Sequence, residues 1–357
     1  MKTNYKFGML QLFAANTNTT GQRTGTQEPY ENDLSIGMKT YYDTQLLKNA
    51  RTQHYFSQFG MKVSLPKGRG KTVEFRKWNT FSPKTTPLTE GVTPDGSKFG
   101  QTHITAAISQ YGDYAEFTDV LELTYYDDVI LGATEEFGAA GSETQDFVVR
   151  NAINADITTG QNVYYAPKSS GTAVTSRSGL DATCLMTPKL VNRIATILKK
   201  NKAPKIKGDY IALIHPSVAM DLRDCDGWID VHKYAHPEEI YNGEIGKLHG
   251  VRFIETINTR VWGAEVSANG TPQNLSVYGC IFFGQDAWGE IDPEGAGMEM
   301  IIKQKGSAGT ADPLNQRSTV GYKFSNAAVV LYPERLIRVE CVSSFGKDDT
   351  DNGYEAA

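Results

Sequence analysis

Long apolar runs are missing from this chain of 357 residues. None approaches the roughly 18 residues that carry a helix across a bilayer, so no membrane-spanning helix is expected. Cysteine is scarce: Cys184, Cys225, Cys280 and Cys341 lie far apart, with no C-x-x-C pair. That excludes a zinc ribbon or a redox pair, and fits reduced, packed thiols of a protein made in the cytosol. An excess of positive charge is also lacking. Lys and Arg number 36 against 41 Asp and Glu, a net charge of −5, with the basic residues dispersed. A sequence-reading nucleic-acid face is therefore not expected.

Catalytic signatures are equally thin. There is no G-x-S-x-G and no cysteine in a local protease motif. KGRG at 67–70 lacks the spacing of a phosphate loop, and the glycine clusters at 295–297 and 306–309 lack G-x-G-x-x-G, so all three read as turns. Asp221, Asp224 and Asp226 imitate a calcium loop, but Leu222 and Lys233 stand where an oxygen ligand and a Glu are needed. They read as helix-end and turn aspartates. His232 and His236 have the zincin separation without its Glu, and Pro237 ends any helix carrying both. With His249 they are the metal candidates of a soluble hydrolase, the weakest alternative; solvated or core-edge histidines are the plainer reading. The pairs Asp127/Asp128 and Glu135/Glu136 fall on a helix exterior. No enzyme activity, metal or cofactor is expected. Lys2 and Lys6 ahead of residues 7–15 imitate a signal peptide, but Gly8 and Gln11 break its short apolar core.

What is present is glycine (34), tyrosine (18) and a hydrophobic fraction of 39%, the composition of a folded, sheet-rich chain. The length suffices for two domains. Its dominant element is residues 124–160, where Tyr126, Ile130, Ala133, Phe137, Ala140, Thr144, Phe147, Ala152 and Ala155 recur mostly three or four apart. The spacing predicts one amphipathic helix of about 50 Å, capped by Thr124 and favoured at its start by Asp127 and Asp128. Gly132, Gly138 and Gly141 are expected to bend it.

Residues 1–30 read as an extended arm and 35–59 as a helix. Segments 62–65 and 72–78 predict two strands joined by a hairpin turn at 66–70. Residues 79–101 hold three prolines and three glycines with Phe81, Leu88, Val92 and Phe99 as apolar anchors, and 102–123 alternate as a returning strand. So long an irregular excursion between paired strands is expected to be either functional or disordered, and its spaced apolar anchors could bind a partner surface. Thr187 and Pro188 open a helix over 187–201, and Lys199, Lys200 and Lys202 favour its end. A helix is expected over 217–223 and strands over 210–214, 228–234, 251–255, 278–283, 298–303, 318–324 and 336–341.

Three blocks in order carry a resemblance: Gln58-Phe59-Gly60 through Gly70-Lys71-Thr72-Val73-Glu74-Phe75-Arg76-Lys77-Trp78; Ile214-His215-Pro216 through Gly250-Val251-Arg252-Phe253-Ile254-Glu255-Thr256; and Gly306-Ser307-Ala308-Gly309 through Gly321-Tyr322-Lys323. With the opening Met9-Leu10-Gln11-Leu12-Phe13-Ala14, the chain over about 9–345 resembles the major capsid proteins of tailed bacteriophages, in particular a podophage- and siphophage-like family.

The resemblance implies the Hong-Kong-97-type capsid fold, of α+β class. It lays out an N-terminal arm (1–30), the start of a peripheral domain (31–69), an extended loop (70–118), the spine helix with the peripheral domain (119–181), an axial domain (182–290), return strands of the peripheral domain (291–345) and an acidic tail (346–357). It implies hexamers and pentamers closing into an icosahedral shell around double-stranded DNA held without sequence specificity, assembled in the host cytoplasm. The partners implied are the chain itself, a separate scaffold protein, a portal and, as an open question, a cement protein; no membrane is involved. Arg76, Trp78, Phe81 and Phe99 are the expected subunit contacts, because aromatic and Arg anchors carry disproportionate interface energy. Ordinary packing at the loop base stays open for them. Lys84 and Lys98 lie in the loop, with nothing marking them as cross-linking residues. An encapsulin-like compartment of the same fold is the alternative.

Overall fold

Alternating apolar residues on both sides of the long helix become strands in the computed structural model. It describes residues 54–124, 129–157, 162–225, 228–230, 244–268, 271–295, 297–307 and 312–345, all within the unit Arg51–Ala357. The expected arm, most of the 35–59 helix, Tyr126, Asp127, Asp128, Asp226, His232, His236 and the acidic tail lie outside the described residues.

An eight-stranded sheet forms the larger core. Its strands are β5 (Val163–Tyr165), β6 (Tyr210–Ile214), β7 (Ile229–Asp230), β8 (Glu244–Leu248), β9 (Val251–Glu255), β10 (Arg260–Ala268), β11 (Thr271–Phe283) and β15 (Leu336–Cys341). All five residues of β6 are buried, as expected of a continuous apolar strand covered on both faces. Ala212 and Ile214 point to one cluster, with Leu190, Ile194 and Leu198 of α3 (Pro188–Lys200) and Val218 and Leu222 of α4 (Pro216–Arg223). Ile211 and Leu213 point to the other, with Val149 and Ile153 of the spine helix and with Phe56, Trp288 and Val330. Helix α3 begins as its sequence predicts: the Thr187 side chain accepts from the Leu190 N–H and Pro188 follows.

The second sheet has five strands: β1 (Met61–Leu65), β4 (Ser109–Thr118), β12 (Trp288–Pro293), β13 (Glu299–Lys303) and β14 (Arg317–Val330). The long β14 organises it, pairing with β4 and β13 over its first part and β12 over its last. The third sheet is a ribbon of β2 (Thr72–Trp78) and β3 (Gln101–Ala107).

Two expectations change here. Segment 66–70 is not a hairpin turn: β1 pairs in parallel with β12, Val63 opposite Ile291, while β2 pairs with β3. The local turn signal was real, but the pairing is long-range. Residues 102–123 are not one strand either. They break at Ile108, whose N–H bonds to the Lys71 carbonyl at 2.9 Å and closes the ribbon base, and they end in α1 (Asp119–Thr124). Strand β15 lies beside β11 in the larger sheet.

The spine is α2, Val129–Asp156, 28 residues. Thr124 does not cap it; it ends α1, and its hydroxyl donates to the Val120 carbonyl at 2.7 Å. The helix runs unbroken through Gly132, Gly138 and Gly141. At Gly141 the missing side chain permits close approach: a Cβ there would lie 2.6 Å from Met298 Sδ and 3.0 Å from the Tyr322 ring. Phe137 meets the same ring at 5.9 Å, and the Thr144 and Tyr322 hydroxyls are 3.1 Å apart. The buried stripe also differs at its end, where Val149 and Ile153 are buried and Ala155 is exposed.

Asp146 fastens the incoming chain to this helix. Its Oδ1 accepts from the backbone N–H groups of Tyr55, Phe56 and Ser57 at 3.1, 2.8 and 3.2 Å, and Asn258 approaches Oδ2 at 3.5 Å. Burial pushes its carboxyl above the usual range, partly offset by these donors.

Candidate assembly surface

The two faces of a strand separate β2 into an anchored and a free side. Val73, Phe75 and Lys77 are half-buried, while Glu74, Arg76 and Trp78 are exposed. Val73 and Phe75 pack with Ala106 of β3 on Ile291 and Ala327 of the neighbouring sheet. Lys77 places its Nζ 2.7 Å from Glu334 Oε1 and 4.1 Å above the Tyr332 ring. Such a half-exposed pair is worth at most about 1 kcal/mol, so it orients the ribbon more than it stabilises it.

At the free end three aromatic rings form a stack. Trp78 and Phe99 lie 4.4 Å apart at 15°, and Phe99 and Phe81 5.2 Å apart at 20°. They are nevertheless 61%, 57% and 52% exposed. Asn79 fixes the crossing: its N–H bonds to the Gly100 carbonyl at 3.0 Å, and Thr102 donates to its Oδ1 at 2.8 Å. A Cβ on Gly100 would sit 2.8 Å from Asn79 Nδ2, so a side chain there would push the Asn79 amide aside. Every residue from 79 to 99 is exposed, Leu88 and Val92 included. Of the four predicted contact residues, Trp78, Phe81 and Phe99 are thus brought together. Arg76 stands outside the stack on the same outer face, opposite His103, which pairs with Glu74. The three rings therefore form one contiguous exposed aromatic surface.

A second apolar surface was missed in the sequence. In α1 one of the two acidic residues turns inward: Glu122 accepts from Lys305 at 2.7 Å and from the Ser318 hydroxyl, and these contacts hold its carboxyl below the usual range. Val120, Leu121 and Leu123 face outward, and Leu131 and Leu314 are exposed as well. Strand-like alternation concealed this helix. Its signal was Thr118 before Asp119, whose hydroxyl accepts from the Leu121 N–H at 3.4 Å.

Other polar groups serve the fold. Among the described residues no group of three or more His, Cys, Asp or Glu is placed to hold a metal ion. His249 and Gly250, with φ of 51° and 78°, form the tight turn between β8 and β9. Asp221 is engaged by Ser344, and Asp224 follows the last residue of α4. Burial pushes the Cys184 thiol up to about 11, and Cys341, buried against Cys280 at 3.9 Å, also lies well above its usual value. Neither is a thiolate nucleophile. No described helix is long and apolar enough to cross a membrane.

Comparison with known proteins places this architecture. Residues 122–289 match the family model described as phage capsid protein, a little under half of the chain. No curated protein matches. Among solved structures, the capsid of the cyanophage P-SCSP1u shares 18% identity over 92% of this chain and 100% of its own, with a TM-score of 0.59. The capsid of Ralstonia phage GP4 shares 15% over 91% and 100%, with a TM-score of 0.65. The capsid of Helicobacter pylori bacteriophage KHP30 shares 10% over 88% and 99%, with a TM-score of 0.62. Sequence identities this low speak for fold, and the fold is the α+β Hong-Kong-97-type capsid fold. Over residues 122–289 the chain is similar to the phage capsid protein family, and over about nine-tenths of its length it shares the fold of solved phage capsids.

Proposed function

We propose that this chain is the major capsid protein of a tailed phage, which self-assembles as hexamers and pentamers into an icosahedral shell around double-stranded DNA. The capsid fold over about nine-tenths of the chain carries this reading. In it the five-stranded sheet with α2 is the peripheral domain, the eight-stranded sheet is the axial domain, and residues 70–118 are the extended loop. The arm at 1–30 and the exposed Trp78–Phe99–Phe81 stack contact neighbouring copies, with Arg76 at the edge of the contact. The protein's role is structural. A scaffold protein and a portal join it during assembly in the host cytoplasm, and a cement protein is compatible with the exposed surfaces.

The mechanism is multivalent. Contacts that are weak singly are summed around a closed ring, where each later contact forms at high effective concentration. The mild negative charge suits a shell that confines DNA without gripping it. Electron microscopy of the protein purified from infected cells tests the assignment. DNA-filled icosahedral particles are expected. Uniformly monomeric protein would overturn the shell, and particles holding enzyme cargo would make it a compartment. Deleting residues 79–101 is expected to leave a soluble folded chain that forms no shells; normal shells from that deletion would remove the loop from the mechanism.

A further inference from the structure

Where β12, β14 and segment 54–60 meet, three buried polar atoms have no hydrogen-bond partner: Trp288 Nε1, Glu290 Oε2 and Asn326 Oδ1. Two of them belong to one pair. Asn326 Nδ2 donates to Glu290 Oε1 at 3.1 Å, leaving the other carboxyl oxygen and the amide oxygen unpaired. Glu290 is 3% exposed and Asn326 2%. Register puts them on one sheet face, since Glu290 lies opposite Ala328 and Asn326 is two residues along. An ionised carboxylate here would bury a charge and leave two acceptors unsatisfied, a costly arrangement on both counts.

We propose that Glu290 carries a proton on Oε2 in the folded chain and donates it to Asn326 Oδ1, closing a two-bond carboxylic acid–amide pair across β12 and β14. One proton satisfies both acceptors and removes the buried charge. Burial pushes this carboxyl above its usual range, against opposing contributions from Asn326, Lys62, Gln145 and Ser57.

The groups facing Glu290 make the pair a pH-sensitive element. Lys62 on β1 is its register partner and is exposed. Gln145 on α2 reaches Oε1 at 3.5 Å, and the buried Asp146 follows it in the helix. With His54, Ser57 and Gln58, Lys62 and Gln145 line a cavity of about 340 Å³ beside the pair. Protonated, Glu290 stays within the sheet. Ionised, it gives up the Asn326 oxygen and turns to Lys62, at the wall of a cavity bounded by the incoming chain and the spine. This inference rests on the buried pair and stands independently of the shell.

Infrared difference spectra of the full chain, wild type minus Glu290→Gln, test it at pH 6, where an ordinary glutamate (pKa about 4.3) is ionised. Glutamine reproduces the protonated acid, donating to Asn326 Oδ1 and accepting from Nδ2. The expected result is the C=O band of a protonated, hydrogen-bonded carboxyl in the wild type alone, shifted in Asn326→Ala. The proton's contribution to stability is complete below about pH 4.3 and is lost as pH rises through the folded-state value. Wild type should therefore melt increasingly below Glu290→Gln as pH rises. Absence of the band, parallel melting at every pH, or a band that Asn326→Ala leaves unmoved would each overturn the pairing.

Discussion

Asp146 shows how much one side chain does in this protein. Three consecutive backbone N–H groups converge on its Oδ1. Asp146→Ala leaves them buried without an acceptor and is expected to cost roughly 3 kcal/mol. Asp146→Asn keeps an acceptor oxygen and should stay within about 1 kcal/mol of wild type. Urea unfolding of both variants checks the pair, and equal losses would show that charge rather than hydrogen bonding matters. Neighbouring glycines in α2 separate as cleanly. Gly138 has open space where a Cβ would go, so Gly138→Ala should stabilise by up to about 1 kcal/mol through helix propensity. Gly141→Ala drives a methyl against Met298 and the Tyr322 ring and should destabilise by about 1–2 kcal/mol, measured in the same titration. None of this was legible in the sequence. Asp146, Arg150, Glu290 and Glu340 are all buried, yet a polar residue in a periodic pattern reads as outward-facing. Glu340 is completed by Arg177, distant in sequence, through bonds of 2.7 and 2.8 Å.

At the scale of elements, segments with strong local signals were readable. Helix α3, strands β2, β6, β9 and β15, and the excursion between β2 and β3 follow from capping residues, alternation and breakers. Pairing was not. The parallel match of β1 with β12 joins residues more than two hundred positions apart, and nothing local announces it. The break at Ile108 is set the same way, because β14 captures the chain once it leaves the ribbon. For the ribbon, Trp78→Ala should leave urea stability within about 1 kcal/mol, since the ring is mostly exposed. The concentration needed for assembly should rise at least about thirtyfold, the equivalent of a 2 kcal/mol hot spot. Light scattering across a dilution series reads both the threshold and its shift.

For the whole molecule, the spine joins two sheets in one core. Val149 and Ile153 share a cluster with Leu213 and Ile281 of the eight-stranded sheet and with Trp288 and Val330 of the five-stranded one. The described unit is therefore expected to unfold in one calorimetric transition despite its two large sheets. Ile153→Ala, at a cost of about 2–5 kcal/mol, should lower that transition without splitting it. Two separated peaks would mean the sheets melt independently.

The aromatic stack at the ribbon end has a kinetic consequence. Its rings are already ordered against one another in the single chain, so little side-chain entropy remains to be lost when a neighbour arrives. A contact formed from preset parts closes quickly and, being small, also opens again. Misplaced subunits can then leave before the ring around them is complete. Under the proposed assembly role, error correction during growth would be a property this surface brings to each copy before assembly begins.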